Sequence, residues 1–293
     1  MPIGAKLHHR LQPLFFPFAK RFIAGATLLE ALDVVRRLNT QGFLTTLDFL
    51  GENITTDAEA HEATEQNLSI LQALAEQKLN LNISVKPTML GLSVGQDLFE
   101  KNLRRVAEKA HELGAFVRVD MEGSATTIDT LTVVKKIKGP YAPIGTVVQA
   151  MLKRTPHDVI DLLNNHISLR LCKGAYKEPA AIALQDKDEL RAQYISLAKQ
   201  LLTSNLYHGI ATHDDAIIEA LISFVREQRL DKTSFEFQML YGVRRDLQEK
   251  LRSLGFGIRI YVPFGNAWLP YVVRRLRERK ENVWFVVRNL FQK

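Results

Sequence analysis

Apolar positions along the chain alternate between two periods. Leu28, Leu29, Ala31, Leu32, Val35 and Leu38 recur at helical spacing and predict a helix over 27–38. Phe43-Leu44-Thr45-Thr46-Leu47-Asp48-Phe49-Leu50 is short, rich in β-formers and closed by Gly51, which predicts a strand. The same exchange then repeats. Strands are expected over 80–85, 116–119, 144–148, 168–172, 209–211, 234–237 and 257–262. Helices are expected over 58–78, 99–113, 126–136, 156–164, 189–203, 216–228 and 244–254, with a last one from Trp268. Strands alternating with helices imply a parallel sheet of the α/β class, and eight such units imply a closed (βα)8 barrel. No solenoid-type repeat and no linker divides the chain.

The stretch that closes the series, Arg259 to Glu278, reads RIYVPFGNAWLPYVVRRLRE, with Pro263 and Gly265 separating its strand from its helix. At about 100° per residue, Tyr271, Arg274, Arg275 and Glu278 share one helix face, opposite Val272, Val273 and Leu276. Two arginines with a tyrosine one turn before them suit a small carboxylate. A solvated basic face on a surface helix is the alternative.

Polar residues collect at the strand ends: Glu52, Lys86, Asp120, Gln149, Arg170 with Lys173, His213, Gln238 and Tyr261. In a barrel these ends open onto one face, where active sites lie. Each alone has a structural reading. Asp120 or Thr212 would cap a helix, His213 would be a loop histidine and Lys173 a rim lysine. Eight such ends together are harder to explain by capping. Gly-rich phosphate loops and zinc-type ligand spacing are absent, so no metal is expected. The set is cationic and amide-rich, which suits an anionic cofactor and a small carboxylate better than hydrolysis.

Composition changes this picture little. With 46% hydrophobic and 24% charged residues the chain is of ordinary globular type. Its net charge of +7 is spread along the chain rather than held in a tail, which argues against nucleic acid. The single Cys172 excludes an internal disulfide and fits a reducing, cytoplasmic compartment. No apolar run reaches the roughly 18 residues of a membrane span. The aromatic, basic segment 14–24 lacks a cleavage pattern and does not read as a secretory signal. It reads as a helix packing on the domain, or as a membrane-surface helix.

Nine blocks carry a resemblance: TLDFLGE, SVKPT, RVDME, VVQAML, LRLCKGAY, ATHD, FEFQMLYGV, IRIYVPFG and WLPYVVRRLRE, in this order over all but about the first 40 residues. Through them the chain resembles the flavin-dependent proline dehydrogenase family, in its monofunctional bacterial form. The resemblance implies a distorted (βα)8 TIM barrel with extra N-terminal helices and with the last helix laid over the strand C-terminal ends. An N-terminal helical segment, 1–40, would pack on a barrel formed by 41–293. The implied reaction is oxidation of L-proline to Δ1-pyrroline-5-carboxylate by hydride transfer to flavin N5, the first step of proline catabolism.

By the same resemblance, Arg274 and Arg275 clamp the proline carboxylate with Lys86 as a further cation. Tyr261, Tyr271 and Leu240 line the ring, Asp120 supports the pocket, and Glu52 pairs with Arg274 as a gate. Gln149 and Arg170 meet the flavin ring system, Lys173, Gly174, Ala175, Thr212 and His213 hold the rest of the cofactor, and Glu278 reaches it from the last helix. FAD is the implied cofactor, with FMN as the alternative. Two positions depart from the family pattern. Asp214 replaces the usual Asn after Thr-His and is given no cofactor contact, and Glu178 stands where a Trp is usual. The implied partners are a quinone acceptor and a pyrroline-5-carboxylate dehydrogenase, with peripheral contact at the inner membrane face through the N-terminal segment and Val283 to Val287. The competing readings are a Schiff-base aldolase using Lys86 or Lys173, another flavin-barrel oxidoreductase, and hydroxyproline as the substrate.

Overall fold

Eight parallel strands close into a barrel in the order in which the chain presents them. The computed structural model describes residues 16, 19–51, 54–139 and 143–278, the last three by backbone alone. The first half runs α1 (Leu28–Thr40), β1 (Leu44–Phe49), α2 (Asp57–Glu76), β2 (Asn82–Val85), α3 (Gln96–Leu113), β3 (Phe116–Val119), α4 (Thr127–Lys138) and β4 (Ile144–Gln149). The second runs α5 (Thr155–Asn164), β5 (Ser168–Cys172), α6 (Lys187–Leu202), β6 (His208–Ala211), α7 (Asp215–Glu227), β7 (Phe235–Leu240), α8 (Arg245–Ser253), β8 (Gly257–Phe264) and α9 (Trp268–Glu278).

Local sequence sets many of the helix ends. Thr27 with Glu30, and Thr56 with Glu59, form capping boxes that satisfy the first backbone donors of α1 and α2. Asp186 and Asp214 cap α6 and α7 with their side chains. Gly114 ends α3 in the left-handed conformation at φ 66°.

The two faces of the sheet differ sharply. Leu47, Ile83, Val117, Val119, Leu169, Leu171, Phe237 and Ile260 point outward and are buried beneath the helices. The alternate positions form a lumen of Thr46, Asp48, Ser84, Arg118, Arg170, Glu236, Gln238, Arg259 and Tyr261. The register puts them on one face, with Thr46 opposite Tyr261, Asp48 opposite Ser84, Ser84 opposite Arg118 and Gln238 opposite Arg259. Branched aliphatics ordinarily fill such an interior. Here buried charges fill it: Asp48, Arg170, Glu236 and Arg259 are paired with opposite charges, and Arg118 donates to the Thr146 and Ser168 carbonyls.

That polar lumen moves two strand ends away from the sequence expectation. β7 continues through Gln238 to Leu240, and β8 continues through Pro263 to Phe264. Gln238 reads as a loop residue only if the inward face is assumed apolar. Pro263 stays in register opposite Asp48, losing just its own donor.

The last helix crosses the mouth of the barrel. Trp268, Tyr271 and Val272 are buried in a small cluster with Leu50, just past β1, and with Phe22 and Ile23. Farther along α9, Arg274 lies over the ring of Tyr176, 5.7 Å from its centroid, in the loop after β5. β1 and β5 stand on opposite sides of an eight-stranded ring, so the helix spans the opening between them.

Candidate active site

At the open end of the lumen one connected network joins β1, β2, β3, β5 and β8. Lys86 Nζ lies 2.5 Å from Asp48 Oδ1, 3.4 Å from the Tyr261 hydroxyl and 3.7 Å from Asp120 Oδ2. Tyr261 donates to Asp120 Oδ2 at 2.8 Å, and Arg170 Nη1 donates to Asp120 Oδ1 at 2.7 Å. The Arg170 guanidinium also stacks on Tyr261, 5.2 Å from the ring centre, and donates to Ser84 Oγ at 2.9 Å. Asp120 therefore accepts two hydrogen bonds, from Arg170 and Tyr261, and forms an ion pair with Lys86.

Burial and charge set the protonation states. Burial pushes the Asp48 carboxyl up to about 6, with Lys86 pulling the other way. Burial opposes the Lys86 charge, but Asp48 and Asp120 outweigh it and raise the ammonium above the ordinary lysine value. Burial, then the charges of Asp120 and Asp48, pushes the Tyr261 hydroxyl well up. Burial likewise carries the Cys172 thiol to about 12, away from nucleophilic use. A Schiff-base lysine needs the opposite shift. The aldolase reading is therefore not favoured, since Lys86 is held protonated and Lys173 is paired with Asp214 at 2.6 Å.

The residues expected at the cofactor line the ends of β4, β5 and β6. Gln149 ends β4 and donates Nε2 to the Glu122 carbonyl at 2.7 Å. Its Oε1 is buried with no protein partner, an acceptor aimed at whatever fills the mouth. Gly174 follows β5 at φ 109°, where a Cβ would run into the Met151 side chain, so the position favours glycine. Ala175 beside it is exposed. Thr212 is buried, and its Oγ1 accepts the Asp214 amide at 3.1 Å. His213 turns Nε2 to the Leu240 amide at 3.1 Å, tying the end of β7 to the loop after β6. An orphaned acceptor and two cations suit an anionic cofactor with ring N–H donors.

From α9, Arg274 reaches Tyr176, and Arg275 lies 5.3 Å from the Tyr271 ring centre. Tyr271 is buried. Leu240 ends β7, opposite Tyr261 of β8. Glu52 lies outside the described residues, and so do the Glu278 side chain, 283–287 and all of 14–18 but Phe16.

Asp48 and Glu122 carry no role in the sequence reading, and Glu178 and Asp214 enter it only as departures from the family pattern. Asp48 sits inside a block read as a strand, and only the barrel register turns it inward beside Lys86. Glu122 accepts the Thr88 amide at 2.9 Å and hydroxyl at 2.8 Å, which pins the turn after Lys86. Glu178 accepts the Ser124 amide at 2.8 Å and hydroxyl at 2.6 Å. It straps the loop after β5 to the loop after β3. Asp214 pairs with Lys173 and, at 3.5 Å, with Arg191 while capping α7.

Comparison with known proteins shows the family. The model of the proline dehydrogenase family matches residues 31–288. Proline dehydrogenase 1 of Bacillus subtilis (strain 168) is 38% identical over 275 residues, covering 94% of this chain and 91% of the relative. The proline dehydrogenase of Deinococcus radiodurans is 36% identical over 279 residues, covering 94% and 90%. Among solved structures, proline utilization A (PutA) from Bdellovibrio bacteriovorus, inactivated by N-propargylglycine, superposes with a TM-score of 0.84 at 25% identity. That match covers 92% of this chain and 33% of the larger one. The chain belongs to the proline dehydrogenase family, and its reaction is the oxidation of L-proline that opens proline catabolism.

Proposed function

We propose that the barrel mouth takes FAD at the ends of β4, β5 and β6 and L-proline between that cofactor and α9, with FMN as the alternative cofactor. The observation that carries this reading is α9 crossing the mouth above the Lys86–Asp120–Tyr261–Arg170 network. When bound, the flavin supplies the acceptor for the two electrons of the proline C5–H bond. Arg274 and Arg275 hold the carboxylate by charge-assisted hydrogen bonds and fix the ring's orientation. Tyr261, Tyr271 and Leu240 wall the ring and exclude water. Asp120 holds Tyr261 and Arg170 in place, and Glu52 with Glu278 completes the gate and the cofactor edge.

Lys86 and Arg170 are matched by Asp48 and Asp120, so the buried network is internally balanced and the substrate carboxylate is left to the arginines of α9. Only proline with a neutral amine can become an imine. Tyr261 stays protonated and donates a hydrogen bond to Asp120 Oδ2, leaving its ring toward the substrate.

In this reading 1–40 is a helical segment packed on the barrel of 41–293, supported by the burial of Val34, Val35 and Leu38 of α1 in the main core. Electrons leave to a quinone, at peripheral contact with the inner face of the cytoplasmic membrane. The product, a cyclic imine of an aldehyde, passes to a pyrroline-5-carboxylate dehydrogenase. Among the described residues no helix is long and apolar enough to cross a membrane.

The test is the visible spectrum of the purified protein, recorded without oxygen before and after L-proline. Yellow bands that bleach with proline and return with a quinone are expected. A yellow protein indifferent to proline would sink the substrate assignment, and a colourless one that takes up neither FAD nor FMN would sink the cofactor.

A further inference from the structure

The closed end of the lumen carries a second set of buried charges that proline does not reach. Glu236 is 2% exposed. It accepts Arg259 through Nε at 2.6 Å and Nη2 at 2.9 Å, and the Tyr207 hydroxyl at 2.9 Å. Its Oε1 also accepts Gln238 Nε2 at 2.6 Å. Gln238 in turn presents Oε1 to Arg170 Nε at 2.5 Å. Glu236 and Gln238 are two apart on β7, so both point into the lumen, one storey above the other.

An amide between a group that only accepts and one that only donates has a single satisfied orientation. Turned over, Gln238 would set its NH2 against the guanidinium and its carbonyl against the carboxylate, losing both contacts in a buried site. Gly209 leaves the amide just enough room, since a Cβ there would collide with the Gln238 side chain. Gln238 therefore transmits the position of Glu236 to Arg170, whose remaining nitrogens are taken by Asp120 and Ser84.

We propose that Glu236 is a positioning residue for proline oxidation, which through Gln238 fixes the Arg170 guanidinium at the cofactor end of the lumen. This rests on the reading of Arg170 as the cation beside the flavin. A fixed cation stabilises the negative charge that two-electron reduction brings. A cation free to swing away stabilises it less.

The test uses the full-length holoprotein with flavin bound and compares Glu236→Gln and Gln238→Met with wild type. Both variants are expected to show a more negative flavin midpoint potential and reduction by saturating proline slowed by about tenfold or more. The KM for proline is expected to stay within about twofold, because the carboxylate clamp is on α9. A purely structural role would lower thermal stability and leave the potential unmoved, and that result would overturn the proposal. Gln238→Met leaves the Glu236–Arg259 pair intact, so it carries the test if Glu236→Gln does not fold. A wild-type protein that holds no flavin would overturn the cofactor reading and this proposal with it. A wild type bleached by proline beside unmoved variants would overturn the proposal alone.

Discussion

Lys86 shows how a single buried charge is kept at this site. With Asp48 at 2.5 Å and Asp120 at 3.7 Å, the cost of burying its ammonium is offset, and each carboxylate depends on it in return. Asp48→Asn is expected to destabilise the fold by about 3 kcal/mol, the lower end for breaking a buried pair, since Asp120 remains. Urea unfolding measures this, and wild-type stability would mean that Asp120 suffices. For the substrate, Arg275→Met is expected to raise the proline KM by loss of a contact worth about 1.5–3 kcal/mol. An unchanged KM would remove Arg275 from the site. If Tyr261 walls the substrate ring as proposed, Tyr261→Ser is expected to improve hydroxyproline relative to proline, read as the ratio of the two kcat/KM values. The types of these residues were legible along the chain: the Arg pair, the Lys and the Tyr stand out by position. Asp48 was not, because a carboxylate inside a strand gains meaning only when the neighbouring strand's register is known.

At the scale of elements, the site depends on α9 and on the loop between β5 and α6. That loop is held on both flanks. Glu178 binds Ser124 on one side, and on the other Leu184 and Lys153 exchange backbone hydrogen bonds with Met151 and Ile182. Tyr176 within it meets Arg274 of the last helix. Glu178→Ala is expected to speed proteolytic cleavage within 174–183 and to weaken proline binding several-fold, because it removes two contacts to a carboxylate of about 1.5–3 kcal/mol each. Unaltered cleavage would show that the other flank alone holds the loop. Helix positions were readable from apolar spacing, whereas the caps Thr27, Thr56, Asp186 and Asp214 emerge only in the structure, where neither Asp120 nor Thr212 caps a helix. The ends of β7 and β8 were not readable, because polar inward residues mimic the composition of a loop.

Across the whole molecule the barrel is an apolar shell around a charged axis, and one group in the shell couples folding to pH. His208 is fully buried on the outer face of β6. Its Nδ1 accepts the Leu169 amide at 3.0 Å, so the ring's proton sits on Nε2, which donates to Ser204 at 2.7 Å. Burial, with Arg118 adding to it, lowers its pKa from 6.5 to about 4. A depressed histidine binds fewer protons folded than unfolded, so its contribution is present above 6.5 and is lost as pH falls toward about 4. The slope approaches about 1.4 kcal/mol per pH unit inside that window. Asp48, raised by burial, acts in the opposite sense between 3.8 and about 6. The informative quantity is therefore the difference between wild type and His208→Asn, whose Oδ1 can still accept the Leu169 amide. The variant is expected to lose less stability on acidification, and parallel curves would remove His208 from the account.

The amino-acid sequence by itself determined the alternation of eight strands and their helices, and the basic face of the last one. These follow from local periodicity. Only the tertiary structure decided which strand residues turn inward, that charge rather than aliphatic bulk fills the lumen, and that α9 lies across the mouth from β1 to β5. Closure of the barrel sets those features, because it brings Asp48, Lys86, Asp120, Arg170 and Tyr261 from five strands within hydrogen-bonding reach. No local pattern contains such long-range proximity.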